Sequence, residues 1–104
     1  MVDWVSVLPL ETLRQQGRAL VRVGGREVAL FWVEGIIHAL EDACPHAGAS
    51  LAFSTLEGHW VRCQAHGLRF DVRTGQMAGG KGLCARRFDV RERAGLVEVA
   101  FRLG

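Results

Sequence analysis

Short apolar runs that alternate with polar residues recur along most of the chain, which is the pattern of antiparallel strands. The predicted strands cover residues 2–8, 19–23, 27–33, 36–40, 59–62, 68–72, 86–91 and 96–101. Glycine-bearing turns separate many of them, at Gly24-Gly25, Glu34-Gly35, Thr74-Gly75 and Ala94-Gly95. The first two turns are short enough to predict an antiparallel meander.

Two other segments depart from this alternation. Leu10–Gln16 places Leu10 and Leu13 among polar residues and predicts a helix of one or two turns, which Gly17 ends. Residues 41–58 are predicted to be a long loop and its return. The expected fold class is therefore all-β, with packed antiparallel sheets.

Length and composition indicate one domain, residues 1–104. With 104 residues, of which 49% are hydrophobic, the chain can bury a modest core. No apolar run is long enough to span a membrane, and no signal-peptide pattern is present, so we expect a cytoplasmic protein without membrane contact. We also expect a monomer. Three cysteines provide no disulfide framework, which suits a reducing compartment.

The formal net charge of +2 is too small to indicate nucleic-acid binding, but the charges are unevenly placed. Residues 59–94 are rich in arginine, whereas residues 1–58 lean towards acidic side chains. We favour the interpretation that these charges are solvated on exposed strand faces. A docking patch for a protein partner is the alternative.

Two short motifs each combine a thiol with an imidazole: Cys44-Pro45-His46 and Cys63-Gln64-Ala65-His66. A mononuclear zinc site usually takes paired cysteines from one turn and paired histidines from a helix. Here both pairs are mixed. A Rieske [2Fe-2S] centre explains the mixing, because two cysteines hold one iron and two histidines hold the other. A mononuclear zinc site remains the alternative.

The sequence around these motifs resembles a known family. Residues 44–51, 63–71 and 73–75 are similar to the soluble Rieske-type ferredoxins of bacterial ring-hydroxylating oxygenase systems, and also to small subunits of nitrite reductases. The resemblance covers most of the chain and is tightest at the two motifs. It implies a Rieske-type β-sandwich base that carries a small cluster-binding lobe, at about residues 42–72.

The resemblance also implies one [2Fe-2S] cluster of Rieske type and its ligands. Cys44 and Cys63 would hold the buried iron, while His46 and His66 would hold the outer iron. Neutral imidazoles leave the outer iron more electron-poor than the thiolate-bound iron, so the accepted electron is expected to rest there. The exposed edges of the two imidazoles would then be the electron's exit.

The function implied by the resemblance is one-electron transfer from a flavin-dependent, NAD(P)H-oxidising reductase to a terminal oxygenase. The chain itself would catalyse no bond chemistry, since the four ligands fill both irons and no nucleophile-base or paired-carboxylate arrangement is visible. Two alternatives stay open. One is the small Rieske subunit of an assimilatory nitrite reductase, and the other is a non-redox zinc-binding interaction module.

Several positions distinguish this chain from other Rieske proteins. Respiratory members carry a membrane anchor and an extra cysteine in each cluster loop, whereas Ala49 and Ala65 occupy those positions here. High-potential members place a serine and a tyrosine after the second histidine, where this chain has Leu68 and Phe70. Loss of those hydroxyl donors implies a low potential. A glycine-rich segment at 79–82 replaces the proline-containing cover of many relatives.

The remaining candidate residues are expected to be structural. Cys84 is predicted to be a buried space-filler, and His38 and His59 to be strand histidines outside the metal site. Gly48 and Gly67 either let backbone amides approach the cluster sulfides or only permit loop turns. Asp42 either accepts hydrogen bonds from amides of the loop or is simply solvated. The tryptophans are predicted to provide core bulk, at Trp4, Trp32 and Trp60.

Overall fold

The computed structural model describes residues 2–45, 48–64, 67–79 and 82–102. Within these residues the chain forms one helix, α1 (Leu10–Gln16), and a succession of strands. The strands are β1 (Val2–Pro9), β2 (Arg18–Val23), β3 (Arg26–Val33), β4 (Ile36–Glu41), β5 (Thr55–Glu57), β6 (Trp60–Arg62), β7 (Arg69–Asp71), β8 (Arg87–Phe88), β9 (Val90–Arg93) and β10 (Leu96–Arg102). The helix has the predicted bounds.

The central layer is a sheet in the order β2-β3-β4-β8, with antiparallel neighbours. Strand β3 is its most buried strand, and successive side chains of a strand face opposite sides. Ala29 and Phe31 pack into one core, whereas Val28 and Leu30 pack into a second core. Both faces of the central sheet are therefore covered.

The second core lies between the central sheet and an outer sheet in the order β1-β10-β9. Val97 and Val99 of β10 contribute to it, and α1 adds Leu13. Gly17 ends the helix with φ of 81°, and its amide donates to the carbonyl of Leu13 at 2.8 Å. In the described ranges, no helix has the length and apolar character needed to cross a bilayer.

The first core lies between the opposite face of the central sheet and a small sheet in the order β5-β6-β7. Val61 and Phe70 from this sheet are fully buried in it, together with Cys44 and Cys63. The all-β fold class with antiparallel sheets is thus confirmed. The central sheet connects the region that holds the two cysteines to the rest of the chain.

Two predictions of strands were wrong. The single strand predicted at 86–91 is two strands, because the chain leaves the central sheet at Asp89: β8 pairs with β4, and β9 pairs with β10. The predicted loop at 41–58 contains β5, which pairs with β6 from Thr55↔Arg62 to Glu57↔Trp60. Both errors concern strands of two to four residues, whose pairing depends on distant partners.

Cys84 is exposed, which contradicts its predicted burial. It forms an isolated bridge with Gln76, and the next residue, Ala85, takes the fully buried position. Alternation along this extended segment therefore turns the thiol away from the core.

The tryptophans are less buried than predicted, and each lies beneath an arginine side chain. Their aromatic faces can attract the guanidinium group, and a long polar side chain covers part of their apolar area. Trp32 also packs against the second core. The distances from guanidinium carbon to ring centroid are 4.0 Å for Arg91 over Trp4, 6.0 Å for Arg14 over Trp32 and 5.7 Å for Arg69 over Trp60.

Candidate metal centre

The first loop begins where β4 ends. The amide of Cys44 donates to the carbonyl of Ala49 at 2.8 Å, and the amide of Gly48 donates back to the carbonyl of Cys44 at 2.8 Å. An isolated bridge between Ala43 and Ser50 closes the base of the loop. These bonds hold Cys44 at a fixed place in a tight loop, where its side chain is 2% exposed.

The second loop connects β6 to β7 and repeats this pattern. The amide of Cys63 donates to the carbonyl of Leu68 at 2.7 Å, and the amide of Gly67 donates to the carbonyl of Cys63 at 2.9 Å. Each cysteine thus bonds to the residue five positions later and receives a bond from the glycine four positions later. The two thiol-bearing positions are structurally equivalent.

Cys44 and Cys63 also belong to the same buried apolar core, so the two equivalent loops face a common region. The other two predicted ligands, His46 and His66, lie outside the described residues, as does Ala65. The structure therefore brings together the two predicted thiol ligands. Assignment of the two imidazoles continues to rest on the sequence motif.

Gly48 and Gly67 have φ of 73° and 70°, in the left-handed region that favours glycine. A Cβ atom at either position would meet nothing within 4 Å. Their amides donate to the cysteine carbonyls. The structure supports the interpretation in which these glycines permit the loop turn, because both amides donate within their own loops.

Asp42 anchors the first loop to the rest of the chain. Its buried carboxylate accepts hydrogen bonds from the hydroxyl of Ser50 at 2.9 Å and from the amide of Ala52 at 2.8 Å through the same oxygen, Oδ1. Its own amide donates to the carbonyl of Glu27 in β3 at 2.9 Å. Asp42 therefore accepts hydrogen bonds from this part of the chain and is not simply solvated.

A contact that the sequence did not indicate joins the second loop to the segment after the first. Gln64, which directly follows Cys63, donates from Nε2 to the carbonyl of Phe53 at 2.9 Å. Phe53 lies in a turn whose neighbouring residues are buried, yet its own side chain is 64% exposed. Periodicity could not identify Phe53, since it is not in a strand.

His38 lies in β4 and His59 directly precedes β6, and both interact with the carboxylate of Asp71. Asp71 Oδ2 is 3.9 Å from Nε2 of His59 and 3.0 Å from Nη2 of Arg73. Burial lowers the pKa of His38 below its ordinary value, although Asp71 opposes that effect. Burial alone would raise the pKa of Asp71, but the hydrogen bonds from Arg73 outweigh it and lower that pKa.

The arginines nearest the second loop do not form an unpartnered basic patch. Arg62 pairs with Glu57 at 3.8 Å, and Arg73 pairs with Asp71. Arg69 stacks over Trp60. Exposed pairs of this kind add little to stability, but they offset the local positive charge. The interpretation of these charges as part of a solvated surface is therefore favoured over a docking patch.

The described residues fit a Rieske-type cluster on two counts. Thiolate sulfur is a soft ligand suited to iron-sulfur clusters, and two such groups stand at equivalent places in one buried core. Each is supplied by a separate loop of the same hydrogen-bonded form. A metal centre that binds one thiolate from each loop requires that both loops hold their cysteine in place, and the repeated hydrogen-bond pattern does so.

Comparisons with known proteins agree with this geometry. The family model described as a Rieske [2Fe-2S] domain matches residues 3–87. The ferredoxin component of the naphthalene 1,2-dioxygenase system of Pseudomonas putida is 38% identical over 84 residues, which cover 81% of this chain and 76% of that relative.

Solved structures show the same similarity. The ferredoxin of carbazole 1,9a-dioxygenase from Nocardioides aromaticivorans IC177 has a TM-score of 0.84 at 28% identity and covers 93% of this chain and 96% of its own. A chain in the complex of reduced oxygenase and oxidised ferredoxin of carbazole 1,9a-dioxygenase also has a TM-score of 0.84, at 33% identity, and covers 93% of this chain and 92% of its own.

Proposed function

The chain belongs to the Rieske [2Fe-2S] domain family, and from that premise we propose that it is the ferredoxin of a ring-hydroxylating oxygenase system. In this role it accepts single electrons from a flavin-dependent, NAD(P)H-oxidising reductase and passes them to a terminal oxygenase. Its relatives are named as ferredoxin components, which agrees with the prediction of an electron carrier that is not itself a catalytic subunit. The family match also confirms the predicted type of cluster and disfavours the zinc alternative.

The structural observation that supports this function most strongly is the equivalence of the two loops. Cys44 and Cys63 share one hydrogen-bond pattern and one buried core. We propose that they hold one iron and that His46 and His66 hold the other, within a lobe of about residues 42–72 of the single domain. When bound, the cluster supplies a one-electron redox couple.

The chain's own residues keep the two thiolates in place and away from water. Asp42 fixes the first loop to β3 through its backbone, and Gln64 fixes the second loop to the segment that contains Phe53. A rigid support lowers the structural change that accompanies electron transfer. We further propose that the protein acts in the cytoplasm, because its three cysteines suit a reducing compartment.

Reconstitution of the electron-transfer chain tests this function. The terminal oxygenase and the flavoprotein reductase encoded nearest to the gene would be purified and mixed with NAD(P)H, an aromatic substrate and this protein. We expect substrate oxidation to require the protein. Cys63→Ser should abolish this activity, and Cys84→Ser should retain it.

Oxidation at the full rate without the protein would contradict the proposal. Stable co-purification of the protein with a large sirohaem subunit, and no transfer to the oxygenase, would instead identify it as a nitrite reductase subunit.

A further inference from the structure

Phe53 is an exposed aromatic side chain on a well-fixed segment beside the candidate metal centre. It is 64% exposed, the largest value among the exposed large apolar side chains in the described part of the chain. Its neighbours Ala52 and Ser54 are buried, at 2% and 0%. The backbone therefore presents one large apolar side chain to solvent from a segment that is otherwise packed.

Hydrogen bonds hold this segment from several sides. The hydroxyl of Ser54 donates to the carbonyl of Ser50 at 2.8 Å. The backbone carbonyl of Ser54 accepts a hydrogen bond from the guanidinium of Arg18 in β2. The bond from Gln64 to the carbonyl of Phe53 links the segment to the residue after Cys63. An aromatic side chain on a fixed backbone loses little entropy on binding a partner.

The sequence segments around the two loops contain few charged residues. No lysine, arginine, aspartate or glutamate occurs in residues 43–56, 63–68, 74–80 or 82–85, although Lys81 separates the last two ranges and the guanidinium of Arg18 reaches the carbonyl of Ser54. Residues 74–85 border the second loop, since Met77 and Leu83 pack against the core that holds the two cysteines. The arginines that flank these segments have acidic or aromatic partners of their own.

We propose that Phe53 is a docking anchor for the terminal oxygenase, which receives it in an apolar, uncharged recess. The inference rests on the proposed function. A ferredoxin of the same fold forms a complex with its oxygenase, which supports a terminal oxygenase as the partner. Aromatic residues are enriched at the centres of protein interfaces, and a few buried anchors supply most of the binding energy.

The small number of charges in these segments predicts how docking depends on salt. Steered association of charged surfaces slows as salt rises, because screening shortens the range of electrostatic attraction to about 10 Å at 0.1 M ionic strength. Burial of an apolar anchor does not weaken in this way. Docking through Phe53 should therefore be nearly insensitive to ionic strength.

The test measures the second-order rate constant of electron transfer from the reduced holoprotein to the terminal oxygenase encoded nearest to its gene. Phe53→Ala should lower it at least about tenfold, Phe53→Glu should lower it further, and Phe53→Leu should retain most of it. The control is Ile36→Ala, since Ile36 is 57% exposed at the end of β4 that is remote from the first loop. The wild-type constant should change less than about twofold between about 0.02 M and 0.5 M salt.

The visible spectrum of each variant, and its reduction by dithionite, show whether the cluster is intact. Phe53→Ala with an intact cluster and an unchanged transfer rate would overturn the inference, as would a steep fall of the wild-type rate with salt. If Phe53→Ala slowed only the reduction of the protein by the reductase, Phe53 would serve the reductase and the inference would be wrong. A wild-type dimer that Phe53→Ala converts to a monomer, with an unchanged transfer rate, would assign Phe53 to self-association and would also overturn it. Failure of the wild-type protein to reduce the oxygenase under any condition would instead contradict the proposed function.

Discussion

Gly75 and Ala85 lie in direct backbone contact: the amide of Ala85 donates to the carbonyl of Gly75 at 2.7 Å. Gly75 has φ of 83°, and a Cβ atom at this position would overlap with the carbonyl oxygen of Ala85. Ala85 is fully buried in the core that holds the two cysteines. This contact fixes the segment after β7 against the candidate metal centre.

Gly75→Ala should therefore destabilise the protein through both backbone strain and overlap. Gly58→Ala is the matched control, because Gly58 has φ of 60° but a Cβ atom there would meet nothing within 4 Å. We expect a loss of about 1 kcal/mol for Gly58→Ala and about 1–3 kcal/mol more for Gly75→Ala. Denaturant titration followed by circular dichroism measures both, and equal losses would contradict the role assigned to the contact.

The sequence predicted those elements whose signals are local. Helix α1 was found to the residue, since Leu10 and Leu13 mark its apolar face and Gly17 ends it. Strand β5 and the division between β8 and β9 were missed, because their pairing is decided by strands distant in sequence. Alternation places Cys84 and Ala85 on opposite sides of the chain but does not decide which of them is buried, and in the structure Ala85 is the buried one.

The sequence likewise predicts only part of the candidate site. Motif spacing predicts Cys44 and Cys63 as ligands, and both lie in one buried core. The hydrogen bond from Gln64 to Phe53 could not be predicted from the sequence, because it forms only when the second loop and the segment after the first loop come together in the fold.

Stability should fall in acid through two groups, His38 and Asp71. The pKa of His38 is lowered by burial, so the unfolded chain takes up a proton near pH 6.5 while the folded chain resists it. The free energy of unfolding should therefore decrease as pH falls from about 6.5 to the folded pKa of His38. His38→Gln should remove this part of the pH dependence.

Asp71 acts at lower pH. Burial would raise its pKa, but the hydrogen bonds from Arg73 lower it overall, so its stabilising effect is present above about pH 3.9 and is lost as pH falls through the folded pKa. Asp71→Asn should remove the pH dependence in this lower range, and it should also lower the folded pKa of His38 further, because the charge of Asp71 raises that pKa. The measurement is the difference in unfolding free energy between each variant and wild type across pH. A difference for His38→Gln that stays constant between neutral pH and pH 5 would contradict the account.

The midpoint potential should lie near the low end of the Rieske range, at about −150 mV. Leu68 and Phe70 offer no hydroxyl donor after the second loop, so nothing at these positions stabilises the more negative reduced cluster. Leu68→Ser combined with Phe70→Tyr should raise the midpoint. Protein-film voltammetry measures it, with Phe53→Tyr as a control that adds a hydroxyl to an exposed ring. A clearly positive wild-type midpoint would disagree with this prediction.

The three cysteines should differ in their effect on the visible spectrum. Cys44→Ser and Cys63→Ser should lose or alter the cluster, because their thiolates are proposed as ligands in the buried core. Cys84→Ser should leave the spectrum unchanged, since this thiol is exposed. Absorbance of the purified holoprotein distinguishes the variants. Bleaching by Cys84→Ser would show that the ligand assignment is wrong.

Metal and sulfide content tests the central claim most directly, because a Rieske centre and a mononuclear site differ in composition. Protein prepared without oxygen should contain two irons and two acid-labile sulfides per chain. His46→Ala and His66→Ala should each reduce this content or change the spectrum of the reduced cluster. Stoichiometric zinc without sulfide in the wild-type protein would contradict the account.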